Sequence, residues 1–273
     1  MKLPIKFNKR FLNFKSFSTS SDPIEILSVQ CVNQENMHNL SSIYVDGVFK
    51  STADNRFPAS SKAINEIYKK QSILLLDVGT SSGNAISPLL YSLSIKKAFL
   101  TDKTLNIKVR KIGGVYFIHN TNHSYSMAAS RTLVAYFHSG ILLYLSKFLF
   151  LVFENGLNLG TLVSIPLYDQ SLSQHKHVHF LEYSCFEKWK GEKVDIVIVA
   201  NLLNRSYFSD PQIKQSIENF ISALVDGGCL AIIDNRVSEN SSIFKKNGRK
   251  LTHYMDVGTG CSVKVLIEGS DFE

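Results

Sequence analysis

The sequence predicts a doubly wound α/β domain built on a seven-stranded, mostly parallel sheet, and three observations predict it. Strand-length runs such as "SILLLDV", "VDIVIVAN" and "CLAIID" are apolar throughout, as strands covered on both faces must be. Helical segments alternate with them, the mark of a sheet wound by crossover connections. The first strand ends in an acid and a run of small residues, "DVGTSSG", and ligands of such sheets bind beyond the carboxyl ends of the strands.

The elements follow in chain order. Residues 1–21 carry Lys2, Lys6, Lys9, Arg10 and Lys15 with no acid before Asp22, and Leu3, Phe7, Phe11 and Phe14 share one helical face. This is a basic amphipathic arm with three fates open: lying on a membrane, directing the chain to an organelle, or docking on the protein's own core. Residues 1–57 are assigned to the arm and a cap region of mixed periodicity, and residues 58–273 to the α/β domain. "ASSKAINEIYKK" predicts a helix with Ala63, Ile64, Ile67 and Tyr68 on one stripe and Ser60 or Ser61 as its cap. Strand one, "SILLLDV", leads into the helix "NAISPLLYSLS", which takes Pro88 in its first turns. "KAFLTD", "HVHFLEY" and "VDIVIVAN" are strands two, three and four. "DPQIKQSIENFISALVDGG" predicts a helix capped by Asp210, with Pro211 at the first position and Gly227 or Gly228 as its stop, before strand five, "CLAIID". "KLTHYMDV" and "CSVKVLIE", on either side of "GTG", predict an antiparallel terminal pair.

Between strands two and three stand residues 104–175, far more than one crossover helix needs. At their centre "VAYFHSGILLYLSKFLFLVF" is long enough to cross a bilayer. Strands two and three share one sheet, so the chain must return to its starting side, and the next apolar stretch, "LNLGTLVSIPL", is too short to bring it back. A large helical insertion is therefore expected. It dips into one leaflet with Lys147 reaching the headgroups, or packs on the sheet or on a second subunit.

The formal charge of +7 on 273 residues suits an acidic partner. The basic residues are dispersed and no base-flipping motif is present, so there is no clear nucleic-acid signature. Cys31, Cys185, Cys229 and Cys261 show no CxxC pairing, which argues against a zinc site or a disulfide framework and fits a reducing, cytoplasmic setting, with peripheral membrane contact through the arm and insertion. His119, His123, His175, His177 and His179 have no fixed carboxylate partner in the sequence; they are read as surface residues, with no metal site.

Gly79 and Gly83, with only Thr80, Ser81 and Ser82 between them, let the backbone turn tightly and bring N–H groups against a ligand. Asp102, at the tip of strand two, is placed to accept both hydroxyls of a ribose. Together they point to a nucleoside-bearing cofactor. The GxGxxG of a dinucleotide site and the GK[ST] of a P-loop are absent, which disfavours a nicotinamide-dependent oxidoreductase. The ordered set "LLDVGTSSGNA", "FLTD", "VDIVIVANLLN" and "LVDGGCLAI" resembles the class I S-adenosylmethionine-dependent methyltransferases, a Rossmann-like family, over roughly residues 58–110 and 177–268.

That resemblance implies S-adenosylmethionine as cofactor, held by Asp77, Gly79, Thr80, Ser81 and Gly83, by Asp102 at the ribose, and by Ser184 and Asn201. Two departures stand out: Ser81 replaces the usual mid-loop glycine, and "FLEYSCF" offers Ser184 where an acid or amide often meets the adenine. Asn201, Asn204 and Tyr207, after strand four, are the candidate catalytic residues. Arg205, suited to an anionic group, and Tyr207 are the candidate substrate-binding residues. The expected activity is methyl transfer to a small or lipid-associated acceptor by in-line displacement, where positioning does most of the work. The alternative is a catalytically silent scaffold or assembly factor at a membrane.

Overall fold

The structure is a computed structural model and describes residues 5–7, 21–50, 56–69, 71–138, 140–235 and 238–268. It divides into two compact units, one of residues 53–105 and 171–273, the other of residues 1–52 and 106–170. The N-terminal region and the insertion thus make one unit together, where the sequence division had kept them apart.

The first unit holds a seven-stranded sheet: β1 (Ser72–Val78), β2 (Ser94–Asp102), β3 (Val178–Glu182), β4 (Val194–Ala200), β5 (Leu224–Asn235), β6 (Glu239–Asn247) and β7 (Lys250–Val257). Their order across the sheet is β3-β2-β1-β4-β5-β6-β7. The first five are parallel, β6 runs antiparallel to β5, and β7 antiparallel to β6. This is the mostly parallel sheet the apolar runs predict. Val197 and Val199 of β4 pack on one face with Phe220 and Leu230, while Ile196 and Ile198 pack on the other with Ile64 and Leu89. Both faces are therefore core, and alternation is lost from the sequence of the strand.

Helices cover the sheet, among them α1 (Pro58–Ile67), α2 (Ser87–Ser92), α3 (Asp210–Ala223) and α4 (Lys264–Glu268). Their ends differ from the sequence reading. Ser60 and Ser61 lie inside α1, not at its cap. The first-turn amides of Ala59 and Ser60 donate instead to the Glu239 carboxylate of β6, at 3.0 and 2.6 Å. Ser209, not Asp210, opens α3, in a capping box with Gln212. That helix ends at Ala223, and Gly227 and Gly228 belong to β5.

The terminal pair is also reassigned. "KLTHYMDV" is β7, but its partner is "ENSSIFKKN", and the "KVLIE" of "CSVKVLIE" is α4. The strand was hidden by polar side chains that are buried through specific partners. The Lys246 ammonium donates to the carbonyls of Ile221 and Leu224, at 2.8 and 2.7 Å, and the Ser242 hydroxyl donates to Asp256.

In the second unit the insertion is mainly β-structure rather than helical. Six strands lie in the order Ile5–Phe7, Leu133–Tyr136, Tyr125–Ala129, Val115–His119, Asn106–Ile112 and Thr161–Pro166. The long apolar run is broken into the strand Leu133–Tyr136, the α-helix Gly140–Phe150 and a π-helical turn Leu151–Gly156. No helix among the described residues is long and apolar enough to cross a membrane. Apart from the strand at Ile5–Phe7, the basic arm lies outside the described residues up to residue 20.

Candidate functional site

The strand order reverses between β1 and β4: the chain leaves β1 toward β2 and β3 on one side, and β4 and β5 lie on the other. Ligands of doubly wound sheets bind at such a switch point, outside the carboxyl ends of the strands. The loops that follow β1, β2, β3, β4 and β5 bring together most of the residues singled out from the sequence.

Asp77 is the last residue but one of β1 and is 4% exposed. Burial pushes its carboxyl up to about 7, the Thr80 hydroxyl pulls it part of the way back, and the nearby Asp102 charge adds to the rise. The following loop is folded over the tip of β2: the amides of Gly79 and Thr80 both donate to the Thr101 carbonyl at 2.8 Å. Gly79 has φ +81°, and a Cβ there would stand 3.3 Å from Leu202. Gly83 has φ +86°, and a Cβ would meet Leu172 and Phe180 at 3.0 Å. The positive φ favours glycine at both positions, and a side chain there would also crowd its neighbours.

Ser81 has φ +55°, in the left-handed region where glycine is at ease. Its amide donates to Asp102 Oδ2 at 3.1 Å, and its hydroxyl is buried with no hydrogen-bond partner among the described residues. Asp102 also accepts from the Thr104 amide at 3.1 Å through Oδ1, so one carboxylate ties the glycine loop to the loop after β2. Ser184 lies next along the strand ends: the Tyr183 amide donates to the Asp102 carbonyl at 3.0 Å, and the Ser184 hydroxyl takes the Phe186 amide.

Beyond β4 the roles differ from those expected. Asn201, with φ +55°, donates from its amide to the Ile233 carbonyl at 2.8 Å, and its Oδ1 accepts the Asn235 amide at 2.7 Å. It clamps the exits of β4 and β5 together. Asn204 Oδ1 accepts the Ser206 amide at 2.8 Å and starts the turn that carries Tyr207. Tyr207 is 69% exposed and lies edge-on to Phe208. Arg205 pairs with Asp210 at 2.8 Å and reaches the Ser262 carbonyl at 3.4 Å.

A cavity of about 380 Å³ opens here, bounded by Asn204, Arg205, Asp234, Asn240 and Ser262 among others. Polar residues line it, with the Asp234 carboxylate and the Arg205 guanidinium among them. A larger groove of about 610 Å³ lies elsewhere, beside Asn65, Tyr68 and Ser94 at the start of β2, away from the strand exits. Asp234 was missed in the sequence reading, although it stands at the end of an apolar strand as Asp77 and Asp102 do. The same signal could have found it. His119 is likewise not a surface residue. It stands 3.0 Å from Glu154 in the second unit, a carboxylate far away in sequence.

No family model matches the chain, and no curated protein matches it. Among solved structures it is similar to the CurJ carbon methyltransferase, at 16% identity over 78% of this chain and 42% of that one, with a TM-score of 0.38. It is similar to the N-methyltransferase NodS from Bradyrhizobium japonicum WM9 in complex with S-adenosyl-L-homocysteine, at 11% identity over 73% and 71% of the two chains, with a TM-score of 0.38. The amino pentose methyltransferase CalS10 from Micromonospora echinaspora, with S-adenosylmethionine bound, matches at 9% identity over 70% and 61%, with a TM-score of 0.33. By its own strand order, the chain carries a doubly wound, Rossmann-like α/β domain whose loops after β1 and β4 flank the reversal of that order.

Proposed function

We propose that this chain is an S-adenosylmethionine-dependent methyltransferase acting on a small polar acceptor. The observation that carries the reading is the joining of the Asp77–Gly83 loop to the Asp102 carboxylate at the topological switch point. The residues present fit such a cofactor. A buried, unpartnered Ser81 hydroxyl sits beside a ribose-binding type of acid, and a carboxyl buried at the end of β1 gains from a nearby cation. When bound, S-adenosylmethionine supplies a sulfonium-activated methyl group. The chain's part is to hold and orient: Asp102 for the ribose hydroxyls, the β1 loop for the methionine end, and Ser184 at the edge of the adenine side. Asn201 positions rather than reacts, because its side-chain oxygen is committed to Asn235. The cavity at Asn204, Arg205 and Asp234 takes the acceptor, and those three side chains supply the donors and acceptors that a small polar molecule pairs with.

A second reading, the silent scaffold, draws on one observation: both oxygens of Asp102 already hold loop amides. Calorimetric titration with S-adenosylmethionine and S-adenosylhomocysteine separates the two. Binding that weakens by about tenfold or more in Asp102→Ala, with an unchanged circular dichroism spectrum, is the expected result. A folded parent protein that binds neither compound would leave the scaffold standing.

A further inference from the structure

The helix Gly140–Phe150 and the turn that follows it present an apolar row outward. Ile141, Tyr144, Leu145, Phe148 and Leu151 recur three or four residues apart and are 64, 75, 42, 63 and 60% exposed. The fully buried position of the helix is Ser146. The inner side is already satisfied: Phe150 packs on Tyr125 and Phe153 on Phe117, at ring-centre distances of 5.3 and 5.4 Å. Leu157 and Leu162, which follow the π-helical turn in the chain, are exposed as well.

Charge decides what such a surface fits. From Lys103 to Tyr168 the only acid in the sequence is Glu154, set against Lys103, Lys108, Arg110, Lys111, Arg131 and Lys147. Glu154 is neutralised in a partly buried pair with Arg110. Lys147 is exposed on the helix itself, and Lys108 is exposed two residues from Arg110, on the sheet face that the helix covers.

We infer that this helix is an in-plane docking face for an anionic lipid bilayer: the apolar row enters the acyl boundary while Lys147 and Lys108 meet the headgroups. A nucleic acid would find an apolar row where it needs donors, and an acidic protein would leave that row wet. The inference stands apart from the cofactor reading, since all these residues lie in the other compact unit.

Flotation of the full chain with phosphatidylcholine vesicles, with and without phosphatidylglycerol, tests it. The expected result is salt-sensitive binding to the anionic vesicles only. Lys147→Gln should weaken it roughly fivefold, and Tyr144→Ser with Phe148→Ser should abolish it, with circular dichroism unchanged because these side chains are exposed. Three results would overturn it: equal binding to neutral vesicles, binding that survives the double substitution and so belongs to another segment, or no vesicle binding. In the last case, a dimer in light scattering that the double substitution breaks would identify a second copy of the chain as the occupant.

Discussion

Burial holds Asp77 close to neutral, and that has a measurable cost. Its folded carboxyl titrates at about 7, whereas in the unfolded chain it ionises in the ordinary carboxylate range. Between those values the folded state keeps a proton the unfolded state has released, so this residue lowers stability as pH rises through the window and no further above it. Asp77→Asn should lack that slope and exceed the parent in stability above about pH 7, as urea midpoints on either side would show. Ser81→Gly should relieve left-handed strain of about 1 kcal/mol and raise the midpoint, since a serine sits where φ is +55°. The acids and glycines were legible because a strand exit followed by small residues is a local pattern. The clamp formed by Asn201 was not, because it depends on Ala200 pairing with Ile233 across two distant strands.

Among the elements, the insertion helix is fastened by charge. Arg110 and Glu154 form a partly buried pair, the Tyr125 hydroxyl donates to Glu154 at 2.7 Å, and His119 stands beside them. Hydrogen bonds from Arg110 and Tyr125 hold the Glu154 carboxyl below its ordinary range despite burial, and burial lowers His119. The Glu154 contribution is present above its unfolded range and is lost as pH falls through the folded one. Neutral His119 likewise resists the proton that the unfolded chain accepts. Both effects loosen the helix in acid, so amide exchange over residues 140–156 should rise as pH falls. Glu154→Gln should destabilise this unit by about 1–3 kcal/mol in a denaturant titration, because it removes the charge opposite the Arg110 guanidinium and leaves it the Asn158 and Leu159 oxygens. In the sheet unit, Gly83→Ala meets both a positive φ and a Cβ contact at 3.0 Å, for a loss of about 1–3 kcal/mol. The helical expectation for the insertion failed because its strands are half polar, and the one run that stood out is divided between the strand Leu133–Tyr136 and the helix Gly140–Phe150. "KVLIE" failed because five residues of apolar-rich sequence suit a short helix as well as a strand.

For the molecule as a whole, the two units make separate demands. The seven-stranded sheet draws its strands from residues 53–105 and 171–273, so excising Phe137 to Phe153 should leave it folded and able to bind S-adenosylmethionine, with improved solubility. Loss of the sheet's circular dichroism signal in that deletion would show that the units stand or fall together. The parallel sheet was legible because strands buried on both faces are written as unbroken apolar runs. The joining of the N-terminal region to the insertion was not, since nothing local marks a contact between segments so far apart. Separation of that kind also sets a schedule. The amides opening α1 wait for Glu239, some 180 residues later in the chain. On the ribosome, α1 therefore leaves the exit tunnel long before its capping carboxylate has been made. Until β6 arrives, the face of Ala63 and Ile64 is a natural handhold for a chaperone, and synthesis halted short of Glu239 leaves that helix unfinished.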